Sequence, residues 1–221
     1  MYIFLKRITD IFLSFLALIL LTPVLLPIII ILKFTAEGEI FYLQERIGIN
    51  QKKFYIIKFA TMLKNSMKMG TGSITLENDF RVTNFGKYLR KSKINELPQI
   101  INILKGDISI VGPRPLVKNT FMAYPKKIQD KIYNVKPGLT GIGSIIFRDE
   151  EFIISNIKNE DPHKFYKRVI APYKGELEIW YQRNRSFLLD IQLIFITAWV
   201  ILFPFSKIYE KWFENLPKRN F

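Results

Sequence analysis

The chain has 221 residues, with 33 Lys and Arg against 19 Asp and Glu, a formal net charge of +14 and an isoelectric point of about 9.8. It has no cysteine and a single histidine, His163, which excludes disulfides, thiolate metal sites and a His-rich zinc site. The positive charge indicates anionic partners, namely phospholipid headgroups, a phosphorylated substrate or nucleic acid, unless it reflects only a composition rich in Lys, Ile and Asn.

The first predicted element is a long apolar helix. Ile11 to Leu32 spans 22 residues without a charge, which is about the length that crosses a bilayer and is long for a signal peptide. Pro23 and Pro27 predict a break or a kink near its middle. A straight span would separate Lys6 and Arg7 from the basic C-terminal body, so the positive-inside tendency favours a re-entrant helix, with a spanning helix as the alternative.

A small β-hairpin is predicted next, between Glu39 and Met69. Two segments in this region have the aromatic and β-branched bias of short strands, and the turn-like stretch from Gly48 to Lys53 separates them. A loop is expected over Met69 to Asn78, which contains two glycines.

Two helices follow in the prediction. The first covers Asn84 to Ser92, with Asn84 as its cap. The second begins at Asn95 as N-cap, tolerates Pro98 in its first turn and ends at Gly106. The second helix carries an apolar stripe of Leu97, Ile100, Ile101 and Leu104.

The C-terminal segment from Phe187 to Phe205 is strongly apolar but interrupted by polar residues. Trp199 and Trp212 are typical of membrane-interface anchors. We therefore favour a helix lying on the membrane over a second crossing.

Glu96 is the first candidate for chemistry. At a helix N-terminus, the dipole and the unpaired N–H groups would keep its carboxylate ionised, so that it could hold Mg²⁺ or act as a nucleophile or base. The alternative is an ordinary carboxylate that only stabilises the helix.

Arg114 is the second candidate because Pro113 and Pro115 restrict the backbone on both sides of it. An arginine in such an extended loop can present its planar guanidinium to a phosphate. The alternative is a structural pin of the loop. If the chain is an enzyme for an anionic diphosphate, Glu96 and Arg114 must meet in one pocket that faces the lipid headgroups.

Six further charged residues are candidates for the site. The alternative for each of them is an ordinary solvent-exposed position with no role in binding or catalysis. Lys58, Arg81 and Arg90 could place positive charge near an anionic ligand. Asp149, Glu150 and Glu151 could supply an acid, a base or a metal ligand.

Several short motifs together resemble the bacterial sugar transferases, the monotopic phosphoglycosyl transferases that start surface glycan assembly. The resemblance covers nearly the whole chain, and the motifs stand in the family's order. They are Lys6-Arg7-x-x-Asp10, Phe41-Tyr42-x-Gln44-x-Arg46-x-Gly48, Lys58-Phe59-x-Thr61-Met62, Asn78-Asp79-x-Arg81-x-Thr83, Leu89-Arg90-Lys91, Glu96-Leu97-Pro98-Gln99, Lys105-Gly106-Asp107-x-Ser109, Val111-Gly112-Pro113-Arg114-Pro115, Lys136-Pro137-Gly138-x-Thr140-Gly141, Trp180-Tyr181 and Ser186-x-x-x-Asp190.

The resemblance implies transfer of a phosphosugar from a nucleotide diphosphate sugar, UDP-linked by expectation, to polyprenyl (undecaprenyl) phosphate, with release of UMP. It also implies Mg²⁺, a re-entrant helix, and an Asp-Glu pair whose Asp forms a covalent intermediate. The expected partners are the nucleotide sugar, the polyprenyl phosphate and membrane lipid, with a second copy of the chain as a further candidate and no nucleic acid.

The sequence departs from this pattern at the nucleophile, where Asn95 replaces the family's Asp. Four outcomes stay open: Glu96 takes over, a carboxylate from Asp149 to Glu151 enters the site, transfer goes directly to the lipid phosphate, or the protein is a silent scaffold. We favour an active transferase because the substrate-facing motifs are intact. Ala60 is a second, smaller departure.

The sequence therefore predicts an α+β, mostly helical fold: a Pro-broken, re-entrant N-terminal membrane helix, a small β-hairpin, and a helical catalytic body with interfacial amphipathic helices. The expected regions are a membrane-embedded helix over 1–36, a catalytic domain over 37–185, and an interfacial helix with a basic tail over 186–221. The resemblance places the chain in the bacterial inner membrane, with its catalytic body on the cytoplasmic face.

Overall fold

The computed structural model describes residues 1–35, 37–72, 74–76, 78–158, 160–204, 206–213 and 215–219. Two positions of the predicted loop, Ser73 and Glu77, lie outside the described residues. So do Ala36, Phe205 and Phe221, at which predicted segments end.

The N-terminal element is one continuous helix, α1, over Tyr2–Phe34, with Pro23 and Pro27 inside it. The predicted break is therefore wrong, whereas a kink stays a prediction. Most of α1 is apolar and exposed, and only 11% of its most apolar 18-residue window is buried. The residues on both sides of the prolines continue the helix although each proline removes one backbone hydrogen bond. Within the described part of the chain, α1 is the helix long and apolar enough to cross a membrane.

The polar residues near the start of α1 fasten it to the rest of the protein. Lys6 donates to Asp190 at 2.6 Å, and Arg7 donates to the carbonyl oxygens of Ile103 and Leu104 at 2.6 and 2.8 Å. Asp10 is buried and accepts from the backbone N–H of Ile110 at 3.0 Å. The far end of α1 is also attached, through a small apolar cluster of Ile28, Leu32, Phe59 and Leu89.

The predicted hairpin is confirmed. Strands β1 (Phe41–Ile47) and β2 (Lys53–Phe59) pair antiparallel, with Phe41 opposite Phe59 and Ile47 opposite Lys53. The outer edge of β2 is covered by the Asn102 side chain, which accepts from the Ile57 N–H and donates to the Tyr55 carbonyl. This exchange of hydrogen bonds ties the hairpin to the helical body.

Helix α2 spans Asn84–Lys91, but its cap is Thr83, whose hydroxyl accepts from the Gly86 N–H at 3.0 Å. The prediction of Asn84 as the cap is thus wrong by one residue. Asn95 is not an N-cap either, because it lies inside a 3₁₀ turn over Ile94–Glu96, and α3 (Gln99–Lys105) begins only after Pro98. The predicted stop is confirmed, since Gly106 ends α3 in a left-handed conformation with φ 87°.

The remaining elements build the helical body. Strands β3 (Ser109–Val111) and β4 (Gly138–Thr140) form a short parallel pair. The helices are α4 (Lys118–Met122), α5 (Lys126–Ile132), α6 (Ile142–Ile146), α7 (Glu150–Ser155), α8 (Pro162–Phe165), α9 (Ala171–Asn184), α10 (Phe187–Leu202) and α11 (Ile208–Trp212), and a π-helical turn over Tyr166–Ile170 leads into α9.

The main core lies where α6, α9 and α10 meet. Ile142, Leu177, Leu193 and Ile196 are fully buried there. The opposite face of α10 exposes large apolar side chains, among them Leu188 and Phe195. The fold is therefore α+β and mostly helical, as predicted.

Candidate active site

A cleft of about 630 Å³ separates the hairpin from the helical body. Its walls come from β1 and β2, the segment after β2, the 3₁₀ turn before α3, the chain after β3, and the starts of α7 and α9. Cationic side chains outnumber carboxylates among the lining residues that the structure describes. The cations are Arg46, Lys58, Lys64, Lys68, Arg90, Lys93, Arg114 and Lys174, and the carboxylates are Glu37, Glu39, Glu96, Glu150 and Glu151.

Glu96 is at the centre of this cleft, held by two cations. The Arg114 guanidinium donates to Glu96 Oε1 at 2.5 Å and to Oε2 at 3.3 Å, and Lys58 Nζ donates to Oε1 at 2.8 Å. Burial by itself raises the pKa of Glu96, but the charges and hydrogen bonds of Arg114 and Lys58 outweigh it and hold that pKa well below its usual range. Glu96 is therefore ionised, as predicted, although salt bridges and not a helix N-terminus are the cause.

A third cation, Arg46, extends this positive cluster. Its guanidinium donates to the Pro115 carbonyl at 2.9 Å and to Gln44 Oε1 at 2.5 Å. Burial, and then the nearby charge of Arg114, lower the pKa of Arg46 to about 10. Three partly buried cations near one carboxylate leave an excess of positive charge, which favours an anionic ligand.

The Tyr133 side chain holds the backbone of the Arg114 loop in place, a role that the sequence did not predict. The Tyr133 hydroxyl donates to the Arg114 carbonyl at 2.8 Å and accepts from the Leu116 N–H at 2.8 Å. Glu178, also missed, lies near the Arg114 backbone, and burial raises its pKa to about 7. Both residues lie far from Arg114 along the chain and belong to no motif, so no local signal marked them.

Replacing Tyr133 with phenylalanine is expected to lower the free energy of unfolding by about 1–3 kcal/mol, because the buried Leu116 N–H and Arg114 carbonyl each lose their partner. Denaturant unfolding of the purified protein would measure the loss. Tyr88→Phe is the matched control, since Tyr88 is exposed and its substitution should change little. Equal stability of the two variants would contradict the role assigned to Tyr133.

Asn95, at the position where the resemblance implies a nucleophilic Asp, is buried and lines the cleft. Its Oδ1 has no hydrogen-bond partner in the described structure. Buried polar atoms are rarely left unpaired, so this oxygen is available to a ligand.

The acidic run after α6 contributes two carboxylates to the cleft. Glu150 and Glu151 line it, and they are paired with Lys174 and Arg90, the latter at 2.8 Å. Asp149 does not line the cleft. It forms an ion pair with Arg219 at 3.6 Å, so the predicted approach of Asp149 to the site is not observed.

Arg81 is structural in this fold. It is 1% exposed, does not line the cleft, and pairs with Asp79 through two of its nitrogens. Its other N–H groups donate to the loop that follows β2, at the carbonyl oxygens of Ser66, Met69, Gly72 and Ile74. No donor is left for a ligand, so the predicted phosphate contact of Arg81 has no geometric support.

A magnesium ion would have limited protein ligands here. The described residues contain no group of three His, Cys, Asp or Glu that could hold a metal. Asn95 Oδ1 and the weakly bonded Oε2 of Glu96 nevertheless fit an ion that takes most of its ligands from substrate phosphates and water, as Mg²⁺ commonly does.

The fold and the cleft define a class of protein: an α+β body with an apolar N-terminal helix and a cation-rich pocket suited to phosphates. The sequence model of the bacterial sugar transferases matches residues 1–204. The chain belongs to the bacterial sugar transferase family.

Named relatives agree with this membership. The chain is 33% identical over 207 residues to a UDP-N-acetylgalactosamine-undecaprenyl-phosphate N-acetylgalactosaminephosphotransferase of Aeromonas hydrophila, covering 93% of this chain and 45% of that protein. It is 36% identical over 198 residues to a UDP-glucose:undecaprenyl-phosphate glucose-1-phosphate transferase of Klebsiella pneumoniae, covering 87% and 39%. It therefore spans less than half the length of these two relatives. An uncharacterized sugar transferase of Bacillus subtilis, EpsL, is 34% identical, covering 90% of this chain and 87% of that protein.

Proposed function

We propose that the chain transfers a phosphosugar from a UDP-linked sugar to undecaprenyl phosphate and releases UMP, as the first membrane step of surface polysaccharide or glycoconjugate assembly. The observation that carries this proposal is the convergence of Arg114, Lys58 and Arg46 around Glu96 in one cleft. Both substrates and both products are phosphate esters, which such a cluster can bind. The names of the relatives, which include transferases for glucose, N-acetylgalactosamine and galactose, support the reaction class.

Within this proposal, Arg114 and Lys58 contact the diphosphate of the donor. Glu96 fixes both side chains and keeps them close together although they repel each other. The charge that develops on the leaving nucleotide is stabilised by the same cations, without reorganisation at the moment of reaction. Mg²⁺, if bound near Asn95 and Glu96, would neutralise charge on the diphosphate oxygens.

Membrane attachment from one side is part of the proposal. Lys6 and Leu32 contact the same folded body, yet they are separated by about 39 Å of helix at the usual rise per residue. A helix spanning a hydrocarbon core of about 30 Å would put these two contacts on opposite sides. Both contacts on one body favour a monotopic arrangement, and we propose the cytoplasmic face of the inner membrane as its location because the resemblance implies it.

The cleft adjoins this membrane-facing helix. Phe59 lines the cleft and belongs to the apolar cluster that includes Ile28 and Leu32 of α1. The exposed apolar face of α10 supports a second, interfacial contact with lipid. A lipid-linked phosphate could therefore reach Arg114 without leaving the bilayer surface.

The activity is tested with the purified full chain in nanodiscs that contain undecaprenyl phosphate, Mg²⁺ and a panel of UDP-sugars. UMP release that depends on the lipid phosphate, together with a lipid-linked diphosphate sugar, is the expected result. Absence of UMP with every donor, including donors linked to other nucleotides, would overturn the proposal.

The affinity for the donor is expected to fall about 10-fold between pH 6 and pH 9, the size of one lost charge-assisted hydrogen bond. Burial lowers the pKa of Lys58 to about 7, against the opposing charge of Glu96, so its ammonium is charged below that pH and neutral above it. The bound diphosphate shifts this transition upward by favouring the charged form. Calorimetry with a UDP-sugar would measure it, and Lys58→Arg, which stays charged, should flatten the pH dependence. A pH dependence identical in the two proteins would contradict this role of Lys58.

A second candidate function is a catalytically silent scaffold of the same fold, favoured by the neutral amide at Asn95. The variant Asn95→Asp separates the two functions. Activity in the natural protein identifies an enzyme, whereas activity only in the variant identifies a silent protein.

A further inference from the structure

The carboxylates that line the cleft share one property: within the described structure, each of them already has a partner. Glu37 accepts from the Lys64 N–H at 2.6 Å, and Glu39 pairs with Lys64 Nζ at 2.9 Å. Glu150 and Glu151 are bound to Lys174 and Arg90. The fifth, Glu96, is shared by two cations.

Glu96 is poorly suited to attack phosphorus for this reason. Its Oε1 accepts from both Lys58 and Arg114, and Oε2 also faces Arg114. These contacts draw electron density from both carboxylate oxygens and make them weaker nucleophiles. To attack phosphorus, Glu96 would have to give up its salt bridges to Lys58 and Arg114, in a site that is only partly open to solvent.

Position 95 supplies no substitute. The Asn95 side chain is a neutral amide, a far weaker nucleophile than a carboxylate, although its unpaired Oδ1 lies in the cleft wall. Asp149 lies outside the cleft lining. The cations that would bind phosphates, Arg46, Lys58 and Arg114, all line the cleft. Among the described lining residues, no carboxylate is free of a partner.

We propose that transfer in this protein is a single in-line displacement, in which a phosphate oxygen of the lipid acceptor, and not a protein carboxylate, attacks the sugar-bearing phosphorus of the donor. This inference rests on the proposed function, whose reaction it specifies. The proposed single step differs from the two-step route through a covalent intermediate, which is the route that the family resemblance implies.

The step balances without a further reactant. A bond forms between the acceptor phosphate oxygen and the sugar-bearing phosphorus, and the bond from that phosphorus to the bridging oxygen breaks. The bonding electron pair stays on the bridging oxygen, which becomes a terminal phosphate oxygen of UMP. The acceptor monoester attacks as an anion, so no general base is needed, and the attacking and leaving oxygens lie in line.

The cleft meets the main requirement of this route, which is to hold two phosphate-bearing substrates together. Its volume of about 630 Å³ is within the range of small-molecule pockets, and it is open to solvent for the remainder of each ligand. Among the described residues that line it, eight cations against five carboxylates offset the repulsion between a diphosphate and a phosphate monoester.

The stereochemical course at phosphorus tests the inference on the natural full-length chain in nanodiscs. The donor is a UDP-sugar with a sulfur atom of defined configuration on the sugar-bearing phosphorus. One displacement inverts that centre and two displacements retain it, so we expect inversion. Retention would overturn the inference and leave the transferase function standing.

Isotope exchange provides an independent measurement. Without acceptor, a covalent enzyme intermediate would return labelled UMP to the UDP-sugar pool, whereas we expect no exchange in the natural protein. Initial rates with both substrates varied should give intersecting and not parallel double-reciprocal lines. Exchange, or an adduct on Glu96 trapped by denaturation, would overturn the inference.

The variant Asn95→Asp is the matched comparison, because it restores a carboxylate with almost no change in volume. If it transfers with retention and shows exchange while the natural protein inverts, one side chain decides the mechanism. Lack of product from every donor with the natural protein overturns both the proposed function and this inference. Product with retention overturns the inference alone, so the two failures can be told apart.

Discussion

Replacing Arg114 with alanine is expected to lower kcat/KM for transfer by about 10³-fold, the upper range for loss of one preorganised charge-stabilising donor. Arg114 provides two donors to Glu96, at 2.5 and 3.3 Å, and in the proposed reaction it also contacts the diphosphate. Its loss leaves Lys58 as the cation that directly contacts Glu96 in the described structure and removes a charge that lowers the pKa of Glu96. Steady-state release of UMP would measure the effect.

Two controls separate the role of Arg114 from a general effect of charge. Arg114→Lys keeps the charge but not the planar pair of donors, so an intermediate loss is expected. Lys118→Ala removes an exposed cation of α4 that does not line the cleft, and its rate should change by less than about twofold. Similar rates for Arg114→Ala and Lys118→Ala in folded proteins would exclude Arg114 from the reaction.

Replacing Asp190 with alanine is expected to destabilise the protein strongly. Asp190 at the start of α10 is buried and accepts hydrogen bonds from Tyr2, Lys6 and Tyr181 at 2.8, 2.6 and 2.7 Å. Asp190→Ala would leave Lys6 with one carbonyl partner, Val111, at 2.9 Å. Breaking a buried ion pair by removing one member costs about 3–5 kcal/mol, so we expect a loss of that size in the free energy of unfolding.

In a chain of this length, that loss corresponds to a decrease in Tm of roughly 10 °C. Thermal unfolding in detergent would measure it, and limited proteolysis should show earlier cleavage between α1 and the body. Glu176→Ala is the matched control because Glu176 is an exposed carboxylate of the neighbouring α9. A Tm of the Asp190 variant equal to that of the control would refute the anchoring role.

Two arginines of this protein show that a local motif does not determine whether a charged side chain reaches the cleft. Arg81 and Arg114 both belong to family-like motifs and both carry a full guanidinium. In the structure Arg81 is buried beneath a loop, whereas Arg114 points into the cleft. Which of them serves a ligand depends on whether a neighbouring loop folds its carbonyl groups around the guanidinium, and sequence spacing does not encode how that loop folds.

The same limit applies to carboxylates. Asp149, Glu150 and Glu151 are adjacent in sequence, yet they pair with Arg219, Lys174 and Arg90. Their side chains leave the start of a short helix in different directions, so only two of the three reach the cleft. Each residue in a helix is rotated by about 100° from the one before it, so adjacent side chains point in different directions. Tertiary packing decides which of these directions faces the cleft.

The sequence alone determined the elements whose signals are local: the 22-residue apolar run, the hairpin around Gly48, the end of α3 at Gly106, and the motifs that place the chain in its family. Only the tertiary structure decided which distant groups meet, including Glu96 with Lys58 and Asp190 with Lys6. The physical reason is range. Backbone propensity and apolar periodicity act over a few residues, whereas ion pairs and burial depend on distances in space that arise once the whole chain has packed.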